Sequence, residues 1–334
     1  MSVPFPFSAI VGQDEMKQAI ILTAIDPKIG GVLIFGDRGT GKSTAIRALA
    51  AMMPRIRVVA GCPYNAASLA DRPDFADPLP DRLVDVPTPV VDLPLGVSED
   101  RVLGALDIER ALTQGQKAFE PGLLARAHRG YLYIDEVNLL EDHIVDLLLD
   151  VAASGVNLIE REGLSLQHPA DFILMGSGNP EEGELRPQLL DRFGLSVEVE
   201  TPREVADRIE ILERREAFDT DRPAFLKRWR AADTRLRNRI LKAREALHDV
   251  TMARPIKEDT AALCIALGAD GLRGELTLMR AAKAHAALDR RTEVTRNDLA
   301  MVAPLCLRHR LRKDPLDDAG SGARVANAVA EVLG

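Results

Sequence analysis

The chain has 334 residues, and its 43 basic and 51 acidic side chains give a formal net charge of −8. This length predicts two domains with a substantial core. A content of 46% hydrophobic and 28% charged residues is typical of globular proteins and excludes a disordered chain. The net negative charge argues against general binding to nucleic acid or to an anionic membrane.

Two further features bear on the cellular compartment. The three cysteines, Cys62, Cys264 and Cys306, form no CxxC pair and no disulfide framework, which fits a reducing compartment. No apolar run approaches the roughly 18 residues that a membrane span needs, and the first residues resemble neither a signal nor a transit peptide. We therefore expect a cytoplasmic protein without a membrane span.

Short apolar runs in the first 200 residues predict a series of buried strands. These runs cover residues 32–35, 58–60, 131–134, 172–176 and 196–199. Helical patterns separate them, at residues 9–26, 42–53, 105–128 and 141–153. Apolar strands that do not alternate with polar residues, and that are separated by helices, indicate a parallel sheet covered on both faces.

The region between the second and third strands has a different composition. Seven of the 20 prolines lie between residues 63 and 94, which excludes a continuous helix there. We expect loops and short extended pieces over residues 62–104, with a hairpin near Pro89 to Pro94. A second hairpin is predicted over residues 155–170, where two apolar runs flank a glycine.

The strands stop after Pro202, and only helical patterns follow. They cover residues 203–217, 224–249, 257–268, 274–290 and 296–311. The sequence therefore predicts an α/β domain over residues 1–202 and an all-helical domain over residues 203–334.

A phosphate-binding loop is the strongest motif in the chain. Residues 36–43 fit the pattern G-x-x-x-x-G-K-[ST], with a predicted strand before them and a helix after them. Glycines let backbone N–H groups approach a polyphosphate, and the helix N-terminus favours negative charge there. The lysine supplies a cation for the β- and γ-phosphates, and the serine offers a hydroxyl to Mg²⁺. The predicted ATP-binding residues are Gly36, Asp37, Arg38, Gly39, Thr40, Gly41, Lys42, Ser43 and Thr44.

An acidic pair follows the strand at residues 131–134. Carboxylates at the C-terminal end of a parallel strand open onto the ligand crevice of such a sheet. We expect Asp135 to hold Mg²⁺ through water and Glu136 to act as the general base toward the attacking water. The alternatives are a solvated strand end or an acid at a helix N-terminus, both of which the neighbouring phosphate loop disfavours.

Three polar residues further along the chain are candidates for sensing the γ-phosphate. Asn179 follows a predicted strand, although the Asn-Pro pair is also a turn signal. Arg192 could reach the nucleotide of a neighbouring copy with a guanidinium suited to phosphoryl charge; a surface salt bridge with Asp191 is the alternative. Arg273 stands at the head of a predicted helix and could reach back onto the nucleotide, or be an ordinary surface arginine.

In this order, the motifs resemble those of the AAA+ ATPases. The resemblance implies that Val11, within Ile10-Val11-Gly12-Gln13, lies on the adenine side and that the phosphate loop is Walker A. It also implies that Asp135 and Glu136 are Walker B and that Asn179 is sensor 1. Arg192 and Arg273 would then be the arginine finger and sensor 2.

The resemblance narrows to the ATPase subunit, or I subunit, of magnesium chelatase, in its bacterial form from bacteriochlorophyll synthesis. It covers nearly the whole chain and weakens after about residue 312. The stretches that carry it are residues 93–102, 104–112, 119–140, 160–163 and 178–193.

This resemblance implies a hexameric ring with ATP between subunits, a partner D subunit and a porphyrin-binding H subunit. The complex would use ATP and Mg²⁺, and would insert Mg²⁺ into protoporphyrin IX. The family pattern also places insertions near residues 86–103 and 155–170. The six histidines show no ligand spacing, so we do not expect this chain itself to hold the Mg²⁺ that enters the porphyrin.

Other functions remain open at this point. Residues 227–244 carry eight basic side chains against one acid, Asp233, which would suit a DNA-remodelling AAA+ protein. The net charge and the presence of only one aromatic residue in the segment, Trp229, favour a solvated helix that does not bind nucleic acid. A MoxR-type chaperone and a cobalt chelatase ATPase are further alternatives, which a single sequence does not separate.

Overall fold

The computed structural model describes residues 3–37, 39–106, 119–161, 164–179, 183, 185, 187–269, 271–311 and 320–334. The chain divides into two compact units. The first unit joins Met1–Met52 with Gly178–Gly334, and the second is Met53–Ser177. The boundary that the sequence predicts at residue 202 is a different division and stays a prediction.

The strands have the following bounds within the described residues. They are β1 (Val32–Gly36), β2 (Ile56–Val59), β3 (Leu83–Val86), β4 (Val90–Leu93), β5 (Gly104–Leu106), β6 (Phe119–Pro121), β7 (Tyr131–Ile134), β8 (Val156–Arg161), β9 (Leu164–Pro169), β10 (Ile173–Gly178) and β11 (Leu195–Val199).

The helices have the following bounds in the same described part of the chain. They are α1 (Asp14–Ile25), α2 (Lys42–Met52), α3 (Glu99–Leu103), α4 (Leu123–Ala127), α5 (Asp142–Ser154), α6 (Pro187–Leu190), α7 (Val205–Thr220), α8 (Arg222–Ala246), α9 (Arg254–Ala266), α10 (Arg273–Leu288), α11 (Arg296–Leu307) and α12 (Ser321–Leu333).

A parallel sheet of five strands forms the core of the α/β part. In the first unit β1 pairs with β11, and in the second unit β7 pairs with both β4 and β10. Every residue of β7 and of β10 is buried. Apolar side chains on both faces of these strands explain why their sequences do not alternate, and the predicted parallel sheet is confirmed.

The two predicted hairpins have different outcomes. Strands β8 and β9 pair antiparallel, from Val156 with Pro169 to Arg161 with Leu164, so the second hairpin is confirmed. The hairpin near Pro89 to Pro94 is wrong, because β4 joins β7 as a parallel strand. The carbonyl of Pro89 accepts the Tyr131 N–H at 2.9 Å, so a proline that lacks an N–H is tolerated at the strand start.

A further correction concerns the helical pattern at residues 105–128. Strands β5 and β6 pair antiparallel at residues 104–106 and 119–121, so the helix prediction is wrong there. Residues 107–118 of that pattern lie outside the described residues. The closing turns are helical as expected, in α4.

After β11 the described chain is helical, as predicted, with ends that differ by a few residues from the sequence pattern. Two of these helices begin at side-chain caps, which explains where they start. Asp221 accepts a hydrogen bond from the Ala224 N–H at the start of α8, and Thr295 forms a capping box with Asp298 at α11. Helix α12 is an addition, because the sequence analysis placed no element there.

The helices after β11 are tied to α1 and to the residues on either side of it, within the first unit. The Ser8 N–H donates to Asp233 of α8 at 2.8 Å, and Arg308 forms an ion pair with Glu15 at 3.2 Å. A third contact joins Arg280 of α10 to Asp26 at 3.4 Å. These contacts connect the helical segment to the element that immediately precedes β1. In the described part of the chain, no helix is long and apolar enough to cross a membrane.

Candidate nucleotide-binding site

The glycine-rich loop after β1 has the backbone that close approach to a phosphate requires. A Cβ on Gly36 would lie 2.0 Å from the Val199 carbonyl oxygen, so only glycine fits where β1 meets β11. Gly39 and Gly41 have φ values of 81° and 86°, a region that favours glycine. Among the described residues, no atom lies within 4 Å of a Cβ placed at either position. The backbone of these two glycines is therefore open to the approach of a polyphosphate.

The lysine of this loop lies over its own backbone. The Lys42 Nζ donates to the carbonyls of Gly36 and Asp37, the second at 2.9 Å. The Thr40 hydroxyl also donates to the Asp37 carbonyl, at 2.9 Å. Lys42 and the half-buried Ser43 are the first two residues of α2, so the ammonium group and the hydroxyl stand at the positive end of a helix dipole.

Two further predicted residues of the loop are Thr44 and Arg38. Thr44 is exposed in the first turn of α2. Arg38 lies outside the described residues.

The predicted adenine-side segment leads directly into α1. Val11 is half-buried. Gln13 is left-handed, with φ of 55°, and its side-chain amide donates to the Glu200 carbonyl at 2.9 Å. The segment is therefore held against the chain that follows β11, within the same unit as the phosphate loop.

A cluster of three oxygen atoms surrounds the first acid after β7. The hydroxyls of Tyr133 and Ser177 donate to Asp135 Oδ1 at 2.8 and 2.6 Å. The two hydroxyl oxygens also lie 2.8 Å from each other. Tyr133 and Ser177 are almost fully buried, whereas Asp135 is exposed. The carboxylate thus reaches solvent from a buried anchor.

The second acid, Glu136, has an uncommon backbone conformation. Its φ and ψ are 56° and 55°, which is left-handed and costs energy in a residue with a Cβ. Its N–H donates to the Ser177 hydroxyl at 3.4 Å. Strain of this kind is concentrated at functional sites, and here it sets the direction in which the half-buried carboxylate leaves the strand.

The proposed sensing residues occupy three different settings. Asn179 directly follows β10 and is 7% exposed. Arg192 is half-buried in the turn before β11. Arg273, the first residue of α10, forms an ion pair with Asp191 at 3.2 Å and is about half exposed. The structure therefore brings Arg273 next to the Asp191–Arg192 segment.

For Arg192, the sequence left open a surface salt bridge with Asp191. In the structure, two other arginines bind the Asp191 carboxylate. Asp191 pairs with Arg273 and with Arg310, whose guanidinium also donates to the Asp191 backbone carbonyl at 2.8 Å. A second nitrogen of Arg310 donates to the Phe193 carbonyl at 2.9 Å. Burial lowers the pKa of Arg310, and the charge of Asp191 opposes that shift.

Sequence reasoning missed three residues that contact predicted site residues or their neighbours. Tyr133 was counted only as part of a buried strand, Ser177 as part of the stretch after the next buried strand, and Arg310 as part of a helix. The signal for Ser177 was a hydroxyl between two glycines in an otherwise apolar strand. Arg310 lies 119 positions from its partner, and no local pattern connects residues so far apart.

The parallel sheet, the glycine-rich loop before α2 and the helices after β11 form the arrangement of an AAA+ ATPase. A family model described as the AAA lid domain matches residues 257–329. A second, described as magnesium chelatase, subunit ChlI, matches residues 107–188.

Among the residues whose structure is described, no group of three His, Cys, Asp or Glu side chains could hold a metal ion.

Full-length relatives narrow the class to one family. The magnesium-chelatase 38 kDa subunit of Cereibacter sphaeroides is 67% identical over 333 residues, and the match covers 100% of both chains. The subunit of the same name from Rhodobacter capsulatus is 66% identical, over 98% of this chain and 94% of that protein. The chain belongs to the magnesium-chelatase 38 kDa subunit family.

Solved structures agree with this assignment. A chain from a cryo-EM-based complex between subunits BchI and BchD of magnesium chelatase is 60% identical, covers 99% of both chains and has a TM-score of 0.59. A putative ATPase from Cytophaga hutchinsonii has a TM-score of 0.66 over 97% of this chain and 91% of its own. At 16% identity, that second likeness concerns the fold alone.

Proposed function

We propose that this chain is the ATP-hydrolysing motor subunit of a magnesium chelatase, which inserts Mg²⁺ into protoporphyrin IX for bacteriochlorophyll synthesis. The observation that carries the proposal is the 67% identity to a magnesium-chelatase subunit over the whole chain. The open, glycine-lined loop ahead of α2 supports it, because it suits the phosphates of ATP.

The roles of the residues in the loop follow from their chemistry. Backbone N–H groups from Gly36 to Ser43 would bind the phosphates, and Lys42 would exchange its loop carbonyls for the β- and γ-phosphate oxygens. The Ser43 hydroxyl and the Asp135 carboxylate would hold Mg²⁺, the latter through water. Bound Mg²⁺ would neutralise charge on the triphosphate. Val11 would contact the adenine.

The remaining candidates would act on the attacking water and on the γ-phosphate. Glu136 would accept a proton from that water as general base, and Asn179 would orient the water by its amide. Arg192 would reach the nucleotide of the adjacent copy and stabilise phosphoryl charge with its planar guanidinium. The pairing of Arg273 with Asp191 supports a role on the same side as Arg192.

The proposed assembly is a hexameric ring that works with a D subunit and a porphyrin-binding H subunit. A related chain occurs in a complex between BchI and BchD, which supports the D partner. If ATP binds between copies, hydrolysis can change the contact between them and so move the ring against its partners. The cytoplasmic location remains a prediction.

A reconstitution assay tests this function. D and H subunits, protoporphyrin IX, Mg²⁺ and ATP are combined with this chain, and formation of Mg-protoporphyrin is followed by its absorption. One control omits the chain, and another replaces it with the Lys42→Ala variant. Metal insertion that needs the intact chain is the expected result. Equal insertion in the control without the chain would contradict the proposal.

A DNA-remodelling function has one observation in its favour, the basic segment now seen as α8. Two of its arginines already serve contacts within the first unit, since Arg244 donates to the Ala24 carbonyl and Arg239 pairs with Asp289. DNA retention that weakens steeply with salt, together with DNA-stimulated hydrolysis, would favour this alternative. We expect neither.

A further inference from the structure

We propose that Tyr133 and Ser177 are positioning residues for the Mg²⁺-binding step of ATP hydrolysis: their hydroxyls engage Oδ1 of Asp135, so that Oδ2 is the oxygen presented to the metal's water. This inference rests on the proposed function only in assuming that the chain binds MgATP. It gives a role in Mg²⁺ binding to two buried hydroxyls that neither the motifs nor the family comparisons single out.

The three oxygen atoms clustered at Asp135 Oδ1 share too few protons to satisfy every contact. Three oxygen atoms, those of Tyr133, Ser177 and Asp135 Oδ1, lie within 2.6 to 2.8 Å of one another. An ionised carboxylate brings no proton, and each hydroxyl brings one. Two protons can serve only two of the three contacts at a time. The strongest arrangement directs both to the carboxylate, because hydrogen bonds to a charged acceptor are about twice as strong as neutral ones.

The other carboxylate oxygen of Asp135, Oδ2, has a different environment. Within the described residues nothing donates to Asp135 Oδ2, and the side chain is exposed. With Oδ1 engaged by two hydroxyls, rotation of the carboxylate would break both bonds. Oδ2 is therefore the oxygen left to accept from a metal-bound water.

One further contact connects the two acids. The Ser177 oxygen also accepts the Glu136 N–H, at 3.4 Å. One hydroxyl on β10 thus contacts the residue proposed to hold Mg²⁺ and the backbone of the residue proposed as general base. Ser177 is 1% exposed and Tyr133 is 2% exposed, so water cannot easily replace either hydroxyl.

The alternative is that both hydroxyls merely satisfy each other inside the sheet. In that case their removal would lower stability and leave the response to Mg²⁺ unchanged. Buried polar groups must find partners in any fold, so stability alone does not separate the two readings. The test therefore needs a measurement that depends on the metal.

The test uses the full chain and the variants Tyr133→Phe, Ser177→Ala and the double variant. A fluorescent, non-hydrolysable ATP analogue is titrated with Mg²⁺ and again with EDTA. Tyr133→Phe keeps the ring and removes only the hydroxyl. Ser177→Thr restores a hydroxyl and should recover the wild-type response. Tyr64→Phe and Ser196→Ala are matched controls, because both residues are buried elsewhere in the fold.

We expect each single variant to need about fivefold more Mg²⁺ for half-maximal tight binding, and the double variant to need more than either, since each loses a hydrogen bond to a charged group. Affinity in EDTA should match that of the wild type. In steady-state hydrolysis, the Mg²⁺ concentration that gives the half-maximal rate should rise by a larger factor than the KM for ATP, which is measured at saturating Mg²⁺.

Three outcomes would overturn the inference: an unchanged Mg²⁺ requirement in folded Tyr133→Phe, an equal loss of affinity with and without Mg²⁺, or the same shift in the two controls. Failure of the proposed function would look different, because the wild-type chain would then show no Mg²⁺-dependent binding of the analogue at all.

Discussion

Asp191 and Arg273 form an ion pair, with 3.2 Å between Oδ2 and Nη1. The pair joins the residue immediately before Arg192 to the first residue of α10. Arg310 holds the same carboxylate from a nearly buried position, with its side chain 3% exposed. The segment that carries the proposed arginine finger is therefore attached to two points of the helical region.

This attachment predicts a large stability effect. Asp191→Ala should reduce the free energy of unfolding by about 1–3 kcal/mol, because it leaves the Arg310 guanidinium buried without its charge partner. Urea denaturation followed by circular dichroism measures the change. Glu258→Ala removes an exposed pair with Arg254 and should cost about 0–1 kcal/mol. Similar losses in the two variants would show that burial of Arg310 does not govern the effect.

A second prediction concerns the phosphate loop. Lys42→Ala should weaken ATP binding by at least about tenfold, because the variant lacks the cation that would meet the β- and γ-phosphates. Isothermal titration with ATP and Mg²⁺ measures the affinity. Lys28→Ala, at an exposed position, is the matched control and should bind as the wild type does. Unaltered affinity in the first variant would exclude Lys42 from the binding site.

A third prediction separates binding from chemistry. Glu136→Gln should retain ATP affinity and lose about 10²–10⁴-fold in hydrolysis, the range expected for a general base. Phosphate release under saturating ATP measures the rate. Glu141→Gln alters an exposed acid that contacts His143 and should hydrolyse ATP normally. Near-normal turnover in Glu136→Gln would show that another residue acts as the general base.

The fourth prediction tests whether the site is shared between copies. Arg192→Ala should bind ATP and fail to hydrolyse it, as Lys42→Ala should fail for lack of binding. Mixing the two inactive variants creates some interfaces in which an intact Lys42 of one copy meets an intact Arg192 of the next. Hydrolysis should therefore reappear in the mixture. A mixture as inactive as its components would place Arg192 on the nucleotide of its own chain, or outside the reaction.

The fifth prediction is a pH dependence to which two histidines of the second unit contribute. Burial lowers the pKa of His168 and, to about 4, that of His128. The His168 Nδ1 lies 2.9 Å from the Pro169 carbonyl, so Nδ1 carries the proton and Nε2 accepts from the Asn157 amide at 2.9 Å. Protonation of Nε2 would turn that acceptor into a second donor.

The sign follows from linkage. Below the unfolded-state pKa of about 6.5, the two histidines become protonated in the unfolded chain, whereas in the folded chain their lowered pKa values keep them neutral. The free energy of unfolding should therefore fall as the pH drops from about 6.5 toward 4, by at most about 1.4 kcal/mol per pH unit for each histidine. His168→Gln should flatten this slope, and His143→Gln, at an exposed position, should leave it unchanged. A slope equal in all three proteins would exclude His168 as its source.

Local sequence was sufficient for the elements whose signals lie within a few residues. The phosphate loop is one, because a strand, three glycines, a lysine and a helix are read within about 15 positions. Strand β7 and its acidic pair are another. Local sequence failed at β4, where the same residues can form a hairpin or a parallel edge strand, and only the partner across the sheet decides between them.

The family, the nucleotide motifs and the buried strands β1, β7, β10 and β11 follow from the sequence alone, because each depends on residues that are close in the chain. The tertiary structure alone decided which buried hydroxyls surround Asp135 and which guanidiniums hold Asp191. Ser177 lies 42 positions from Asp135, and Arg310 lies 119 from Asp191. Contacts over such separations depend on how strands and helices pack, and no periodicity along the chain encodes them.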